Sequence, residues 1–327
     1  MPGTERPWEK DTLVNAFSVG KGVTSLLAAM CVERGFLGYE DLVVDHWPEY
    51  GTHGKERTTV RDLLGHRAGI PAVRKRLPEG AMFDWDLMCT SLAEENPWWE
   101  PGSAHGYHVN TFGFLVGEVM RRTTGRTVAA LLRKWIEGPF GIDIHLGFGR
   151  ELDARTADFE WPSMDLPTEE PPGLDESQLM QLNTYYNPSG LSGGGVVNTA
   201  EWRSAQIPST NMHASAEGVC RLYALLIDSS SPLLGRAVLT ESLQEVSVGD
   251  DIVLGRASRF GHGWQLPLPE RGFGPNPEAF GHFGAGGALG FADPVAGVAF
   301  GYVMNQMGPR WQNPRNRALI DSLYGCL

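Results

Sequence analysis

The spacing of apolar residues changes along this 327-residue chain, and that change limits the folds open to it. Apolar side chains recur at i, i+3, i+4 and i+7 in four segments, as in amphipathic helices, and these segments cover residues 22–31, 112–120, 128–136 and 219–226. Three later segments are short, apolar and bounded by glycine, as antiparallel strands are, and they cover residues 280–284, 289–292 and 298–304. With further helices expected over 59–65 and 314–325, the sequence predicts an α+β fold.

We expect these elements to be divided between two lobes. Residues 1–65 and 216–327 would form an α/β lobe, in which an antiparallel sheet is flanked by helices. Residues 66–215 would form an all-α lobe that is mainly helical and partly irregular. The stretch 150–195 is acidic, rich in proline and glycine, and shows little periodicity, so we interpret it as an irregular excursion.

Charge and composition exclude several classes of function. The net charge is −12 and no run of five or more Lys or Arg occurs, so nucleic acids and anionic membranes are poor partners. No apolar run approaches the length of a membrane span, and the first ten residues carry no signal-peptide core, so we expect a cytoplasmic protein. The cysteines and histidines show neither CxxC nor HxxxH spacing, so we expect no metal.

Ser18 and Lys21 stand one helical turn apart at the start of the first helical segment. A serine hydroxyl needs a base within hydrogen-bond reach to act as a nucleophile, and positions i and i+3 of a helix share a face. The first turn of a helix also favours a neutral amine and a developing oxyanion. The pair therefore fits the nucleophile and base of a serine hydrolase. It also fits a helix cap followed by a solvated lysine, so the pair alone does not distinguish a catalytic site from a structural feature.

Two further segments support a catalytic interpretation. Tyr107 comes just before the helix over 112–120, and a phenol near an ammonium ionises more easily and can act as a general base. Gly284, Gly286 and Gly287 let a strand backbone approach a ligand, and an N–H there can form half of an oxyanion hole. The alternative interpretations are a core tyrosine and a glycine-rich hairpin.

The order of these motifs resembles the serine β-lactamase and penicillin-binding-protein superfamily. An SxxK pair opens a helix, a tyrosine motif precedes a second helix, and a [KH]-x-G strand follows near the C-terminus. The segments that carry the likeness are 17–22, 63–71, 101–103, 107–118 and 281–290. They are most similar to class C β-lactamases and family VIII carboxylesterases. The resemblance implies a β-lactamase-like fold in which both lobes work as one catalytic unit without a cofactor.

The resemblance also implies roles for individual residues. Ser18 would be the acylated nucleophile, and Lys21 and Tyr107 would share the general-base and general-acid work. The backbone N–H groups of Ser18 and Ala285 would form the oxyanion hole. His282 stands where the third motif usually has a lysine.

The expected substrate-binding residues lie in or near these motifs, and they are His282, Phe283, Gly284, Asn110 and Trp264. The Lys/Thr pair that usually holds a β-lactam carboxylate is missing from the third motif, which favours uncharged esters over β-lactams. Trp264 and Phe283 are expected to wall an acyl or alcohol pocket, although each taken singly is more typical of a core residue.

A second serine motif competes with the first. Residues 190–194 match GxSxG, the nucleophile elbow of α/β-hydrolases, with Ser192 at its centre. That motif requires a strand before it and a helix after it, and neither flank has the pattern of such an element. We therefore interpret 190–194 as a glycine-rich turn.

The sequence thus predicts a serine carboxylesterase that hydrolyses small-molecule esters through an acyl-enzyme. Two alternatives use the same site, namely an acyltransferase and a weak hydrolase of β-lactams or amides. An alternative of another class is a non-catalytic binder or sensor that is acylated without turnover. The sequence is compatible with a homo-oligomer and predicts no partner beyond the small-molecule ester.

Overall fold

The computed structural model describes residues 7–161, 171–309 and 312–327, so the predictions for 150–195 and for the first ten residues fall partly outside it. The α-helices are α1 (Val19–Glu33), α2 (Val43–His46), α3 (Val60–Leu64), α4 (Trp85–Glu94), α5 (Thr111–Thr124), α6 (Val128–Leu132), α7 (Gly138–Phe140), α8 (Glu176–Tyr186), α9 (Ala200–Ser204), α10 (Ala216–Ile227), α11 (Arg236–Ser242) and α12 (Pro314–Gly325). The strands are β1 (Val14–Asn15), β2 (Ile144–His145), β3 (His213–Ala214), β4 (Ser247–Asp251), β5 (Arg256–Phe260), β6 (Phe280–Phe283), β7 (Leu289–Asp293) and β8 (Val298–Tyr302). None of the helices in these ranges is both long and apolar enough to cross a membrane.

Helix α1 lies at the centre of the fold. Its residues from Val19 to Cys31 are all buried, and it packs against α5, α6, α11 and the strands β6 and β7. Small residues on the helix allow this, because neighbours can approach its backbone from several sides. A Cβ on Gly22, for example, would lie 2.5 Å from the Tyr223 hydroxyl. The first turn of α1 therefore starts inside the protein rather than at its surface.

Strands β6, β7 and β8 form an antiparallel sheet in that order, with Phe280 opposite Ala292. Helix α10 packs closely on β7 and β8 because glycine replaces a side chain at the contact. A Cβ on Gly301 would lie 2.5 Å from the carbonyl oxygen of Ala216. The antiparallel hairpin of β4 and β5 extends this sheet through bridges at Gln265.

A second, very small sheet has the strand order β1-β3-β2. Val14 and Ile144 flank Ala214 on its two sides. This sheet joins residues 14–15 to chain segments that the sequence assigned to the other lobe. The proposed division into lobes remains a prediction.

The predicted α+β, β-lactamase-like fold is confirmed. The three predicted strands are β6, β7 and β8, and the predicted C-terminal helix is α12. Helix α8 was not expected, because it lies within the polar stretch 150–195 and is begun by a capping box formed by Asp175 and Gln178 rather than by an apolar face. The β4–β5 hairpin was missed because its strands contain few apolar residues.

His145 in β2 lies between two carboxylates near α7. Its Nε2 lies 3.0 Å from the Asp143 carboxylate and its Nδ1 lies 3.4 Å from Glu137. Burial lowers the pKa of His145, but the hydrogen bonds to Asp143 and Glu137 outweigh it and raise the pKa to about 9. Arg155 also contacts Asp143, which keeps the carboxylate between two cations. His145 is therefore protonated at neutral pH.

We predict that His145→Asn destabilises the protein only where the native histidine is charged. The folded-state pKa lies above the unfolded value of about 6.5, so the stabilisation is complete below pH 6.5 and is lost as the pH rises through 9. Urea unfolding should give a difference of about 1 kcal/mol at pH 6 and close to none at pH 10. The exposed His53→Asn serves as the control, and a difference independent of pH would contradict the prediction.

Candidate active site

Ser18 occupies the N-cap position of α1, one turn before Lys21. Its hydroxyl oxygen lies 3.1 Å from Lys21 Nζ, and both side chains are buried. The residue before it, Phe17, has φ +50, a left-handed conformation that a bulky residue rarely adopts. This conformation turns the chain sharply from β1 into α1. The serine and lysine of the SxxK motif are thus in hydrogen-bond contact.

Two backbone carbonyl groups surround the Lys21 amine. Nζ donates to the carbonyl oxygens of Val109 at 2.6 Å and Ser209 at 3.1 Å. Burial lowers the pKa of Lys21 well below its usual value. A neutral amine has two N–H groups and one lone pair, so the two carbonyls take both N–H groups and the lone pair is left for the Ser18 hydroxyl. Lys21 is therefore arranged as a base toward Ser18.

Two glycines bring the turn that carries the Ser209 carbonyl against the site. A Cβ on Gly20 in α1 would lie 2.7 Å from the Pro208 carbonyl oxygen, and a Cβ on Gly113 in α5 would lie 2.6 Å from Ser209 N. The backbone N–H of Gly113 also donates to Ser209 Oγ at 2.6 Å. Both helices thus pack directly on the 208–209 turn, which places its carbonyl beside Lys21.

Tyr107 packs beside this pair. Lys21 Nζ lies 4.8 Å from the centre of the Tyr107 ring, and the ring is fully buried. Burial raises the pKa of Tyr107 well above its usual value, while a hydrogen bond with Ser18 acts in the opposite direction. Burial outweighs this hydrogen bond and favours the neutral phenol, contrary to the expectation that a neighbouring ammonium would promote its ionisation. The structure brings the three predicted catalytic residues together, and burial lowers the pKa of the amine and raises the pKa of the phenol.

A cavity of about 250 Å³ opens in front of Ser18. Its wall is mainly aromatic and apolar and includes Phe17, Trp161, Tyr185, Tyr186 and Met307. Its lining contains no Lys, Arg, Asp or Glu within the part of the chain that the structure describes. The cavity therefore suits an uncharged, largely apolar ligand.

Ser18 and Ala285 both border this cavity. Within the described ranges, the backbone N–H of neither residue donates to a backbone carbonyl. Gly284 lets the strand approach β1, since a Cβ there would lie 2.5 Å from the carbonyl oxygen of Ala16. Gly286 continues the turn with φ +75. Both N–H groups of the predicted oxyanion hole are therefore at the cavity.

Three predicted substrate-binding side chains lie away from the cavity. Trp264 is in the core, where its indole N–H donates to Ser242 Oγ at 3.0 Å, and Phe283 stacks on Phe273 with ring centres 4.9 Å apart. The prediction that these two aromatics wall the pocket is wrong, because both are buried between structural elements. His282 is also fully buried, and neither it nor Gly284 is part of the cavity lining.

His282 lies behind Tyr107, with ring centres 6.0 Å apart. Its Nδ1 lies 2.7 Å from the Phe283 carbonyl oxygen, to which it donates. Burial lowers the pKa of His282 to about 3, and the nearby Lys21 acts in the same direction. A neutral, buried imidazole cannot replace the lysine of the third motif as an exposed cation.

Asn110 lines the cavity, but its amide is already engaged. Nδ2 donates to the Thr184 carbonyl oxygen at 2.8 Å and to Ser192 Oγ at 3.0 Å, and Oδ1 accepts from the Thr210 hydroxyl at 2.7 Å. The Ser192 hydroxyl in turn donates to the Tyr185 carbonyl oxygen at 3.0 Å. Ser192 thus belongs to a structural network, and its proton faces a carbonyl rather than a base.

Sequence reasoning missed Trp161, Tyr185 and Tyr186 as cavity residues. They come from the stretch 150–195, where apolar periodicity gave no signal. The adjacent tyrosines at the end of α8 were the one local hint, because two aromatics interrupt an otherwise polar stretch. Among the described residues, no group of three His, Cys, Asp or Glu is arranged to hold a metal ion.

The sequence is similar to known proteins of the β-lactamase family. The β-lactamase family model matches residues 1–324. The chain is 28% identical over 316 residues to the esterase/β-lactamase LipL of Mycobacterium tuberculosis, covering 92% of this chain and 71% of LipL.

Solved structures are also similar. A family VIII carboxylesterase matches 100% of this chain and 86% of its own, with 33% identity and a TM-score of 0.89. A penicillin-binding protein homologue from Caulobacter crescentus matches 99% of this chain and 86% of its own, with 36% identity and a TM-score of 0.88. EstA from Arthrobacter nitroguajacolicus matches 98% of this chain and 86% of its own, with 34% identity and a TM-score of 0.86.

We predict that Asn110→Ala acts mainly on stability. The change removes three hydrogen bonds and leaves buried partners unpaired, which should lower the free energy of unfolding by about 2–3 kcal/mol in urea titrations. Asn276→Ala, which loses one bond to Asp293, is the control and should cost about 1 kcal/mol. An Asn110→Ala protein with native stability and a changed ligand affinity would instead indicate direct ligand contact.

Proposed function

Because this chain belongs to the β-lactamase family, we propose that it is a serine carboxylesterase that cleaves small uncharged esters through an acyl-enzyme on Ser18. The observation that carries the proposal is the 3.1 Å contact between Ser18 Oγ and the Lys21 amine, whose pKa burial lowers well below its usual value. The similar family VIII carboxylesterase and the esterase/β-lactamase LipL support the same reaction class.

In acylation, Ser18 Oγ attacks the ester carbonyl carbon while its proton passes to Lys21 Nζ. The carbonyl oxygen becomes an oxyanion that accepts hydrogen bonds from the N–H groups of Ser18 and Ala285. When the ester C–O bond breaks, Tyr107 gives its proton to the leaving alkoxide and recovers one from the Lys21 ammonium. The alcohol leaves, and both side chains end neutral.

Deacylation repeats these steps with water. Lys21 takes a proton from the attacking water, and the same oxyanion contacts hold the second tetrahedral intermediate. When this intermediate collapses, its bond to Ser18 Oγ breaks, Ser18 Oγ regains a proton from the Lys21 ammonium, and the carboxylic acid leaves with both side chains neutral. An alcohol or amine in place of water would give acyl transfer, the first alternative on this site.

The cavity favours uncharged esters over β-lactams. A β-lactam carries a carboxylate, and no cationic side chain belongs to the described lining. The third motif offers only the buried, neutral His282. We therefore expect at most weak hydrolysis of β-lactams or amides, and initial rates with nitrocefin and p-nitrophenyl butyrate would rank the two.

A cytoplasmic location is part of this proposal. The four cysteines are free thiols, and Cys31 and Cys89 are buried in the core, which fits a reducing compartment. A homo-oligomer remains compatible with it.

We predict that Ser18→Ala abolishes sustained release of p-nitrophenol from p-nitrophenyl butyrate. Loss of the nucleophile removes the acyl-enzyme route, so kcat should fall by at least about 10³-fold. Ser192→Ala is the matched control, because Ser192 lines the same cavity without a base beside it. It should keep most of the activity.

The opposite pattern, an inactive and folded Ser192→Ala with an active Ser18→Ala, would contradict the assignment of the nucleophile. A single burst of p-nitrophenol from the native protein, with no further turnover, would instead support the acylated binder.

We predict that Trp161→Ala weakens binding of longer acyl chains, whereas Trp264→Phe does not. Trp161 lines the cavity, so its loss should raise KM for p-nitrophenyl hexanoate about 5–10-fold through lost apolar contact. Trp264 is in the core, so its truncation should lower the free energy of unfolding by about 1–3 kcal/mol with KM unchanged. Equal KM changes in both variants would contradict the structural assignment.

A further inference from the structure

Asp251, at the end of β4, has an almost fully buried carboxylate that accepts four hydrogen bonds. Oδ1 accepts from the backbone N–H groups of Val253 at 3.0 Å, Leu254 at 2.8 Å and Tyr107 at 3.0 Å. Oδ2 accepts from the Ser258 hydroxyl at 2.8 Å. One carboxylate thus ties the turn of the β4–β5 hairpin to the backbone of Tyr107, 144 positions earlier in the chain.

The hairpin also holds the residue two positions before Tyr107. Ile252 N donates to the His105 carbonyl oxygen at 3.1 Å, and His105 Nε2 lies 2.9 Å from Ser258 Oγ. Since the Ser258 hydrogen goes to Asp251, its oxygen accepts from the Nε2–H of a neutral His105. The β4–β5 hairpin therefore holds the backbone at two positions, His105 and Tyr107.

A second aspartate makes the same turn without this extra contact. Asp293, at the end of β7, accepts from the N–H groups of Val295 at 2.9 Å and Ala296 at 3.0 Å, and from the Tyr324 hydroxyl at 2.6 Å. Asp293 is also buried. A turn of this kind needs only the bonds to residues i+2 and i+3, so the bond from Asp251 to Tyr107 is additional to it.

We propose that Asp251 is a positioning residue for Tyr107: its carboxylate fixes the Tyr107 backbone so that the phenol meets Ser18. The Asp251 carboxylate also acts with burial against the phenolate form of Tyr107. This inference rests on the proposed function, in which Tyr107 protonates the leaving alkoxide. A neutral phenol is the form that this step requires. Asp251 is not part of the cavity lining, and its hydrogen bond toward the site goes to the backbone of Tyr107, so it acts through Tyr107.

The charge of Asp251 is one of several around the phenol. Among the described residues, the titratable groups that face Tyr107 come from five elements and one loop, and they are Lys21 of α1, His66 in the loop after α3, Tyr185 of α8, Asp251 of β4, Arg256 of β5 and His282 of β6. Burial is the main reason that the pKa of Tyr107 is raised; Tyr185 and Asp251 add to it and Arg256 opposes it. Burial also lowers the pKa values of Lys21, His66 and His282, which favours their neutral forms.

Replacing Asp251 with Asn tests the effect of the carboxylate charge apart from the effect of the backbone hydrogen bonds. The Asn oxygen can still accept from the three backbone N–H groups, but an NH2 group takes the place of the oxygen that accepts from Ser258, and the negative charge is gone. The phenolate then becomes less unfavourable, so the pKa of Tyr107 falls. Activity requires the phenol, so the alkaline limb of kcat/KM should move to lower pH. Asp251→Ala removes both the charge and the hydrogen bonds.

The test compares two esters that differ in their need for an acid. Ethyl butyrate releases a strongly basic alkoxide that Tyr107 must protonate, whereas p-nitrophenyl butyrate releases a weakly basic phenolate that leaves without help. With Asp251→Ala, kcat/KM should fall by about 10²-fold for ethyl butyrate, followed by pH-stat titration, and by much less for the p-nitrophenyl ester. With Asp251→Asn, the alkaline limb for ethyl butyrate should move down by about half a unit or more.

Asp293→Asn and Asp293→Ala are the matched controls. They should lower stability without changing the ratio of the two esters or the alkaline limb. If the Asp251 variants behave like the Asp293 variants, Asp251 is merely structural and the inference is overturned. Because Asp251→Asn keeps the hydrogen-bond acceptor, it tests the inference even if Asp251→Ala fails to fold.

Tyr107→Phe distinguishes failure of this inference from failure of the proposed function. If Tyr107→Phe lowers kcat/KM for ethyl butyrate and the Asp251 variants do not, the inference fails and the proposed mechanism stands. If Tyr107→Phe leaves both esters unchanged, the proton transfer assigned to Tyr107 fails, and the inference about Asp251 fails with it.

Discussion

The site depends on the burial of a single amine that has no anionic partner among the described residues. Lys21 Nζ meets a hydroxyl and two backbone carbonyls, and none of these carries a full charge. A carboxylate at the same place would stabilise the ammonium and remove the base. Carbonyl dipoles satisfy the N–H groups of the neutral form while leaving its lone pair for Ser18. The surrounding fold holds the carbonyl groups of Val109 and Ser209 against Lys21 and keeps the amine away from water.

The carbonyls come from segments that are far apart in the chain. One belongs to Val109, just before α5, and the other to Ser209, before β3. Glycines at 20 and 113 allow two helices to press on the same turn, and larger side chains there would separate the turn from Lys21. The base is thus produced by backbone packing, so changes far from Ser18 in sequence can alter its reactivity.

Local pattern was sufficient for the elements with a strong apolar period. It gave β6, β7 and the helix that carries Ser18 and Lys21, because these segments are almost entirely buried. It also gave β8 and α12, although β8 is half-buried and α12 buries only Asn316 and Ile320. It did not give the β4–β5 hairpin, which is held by buried polar contacts such as those of Asp251. The motif order selected Ser18, Lys21 and Tyr107, and these three residues lie side by side in the structure. It could not tell that Trp264 lies in the core, because an aromatic side chain suits a core and a pocket equally well.

The network around Asn110 has a consequence for how specificity can change. The Asn110 amide is hydrogen-bonded to Thr184, Ser192 and Thr210, which belong to three separate parts of the chain. We call this hydrogen-bonded group of four residues the floor of the cavity. A substitution in that floor disturbs all three segments at once. Trp161, Tyr186 and Met307 also line the cavity, and we call them its rim. None of the three is among the described hydrogen-bond partners of Asn110. Divergence in the size of the accepted acyl group is therefore expected to accumulate at the rim, while the floor stays constant.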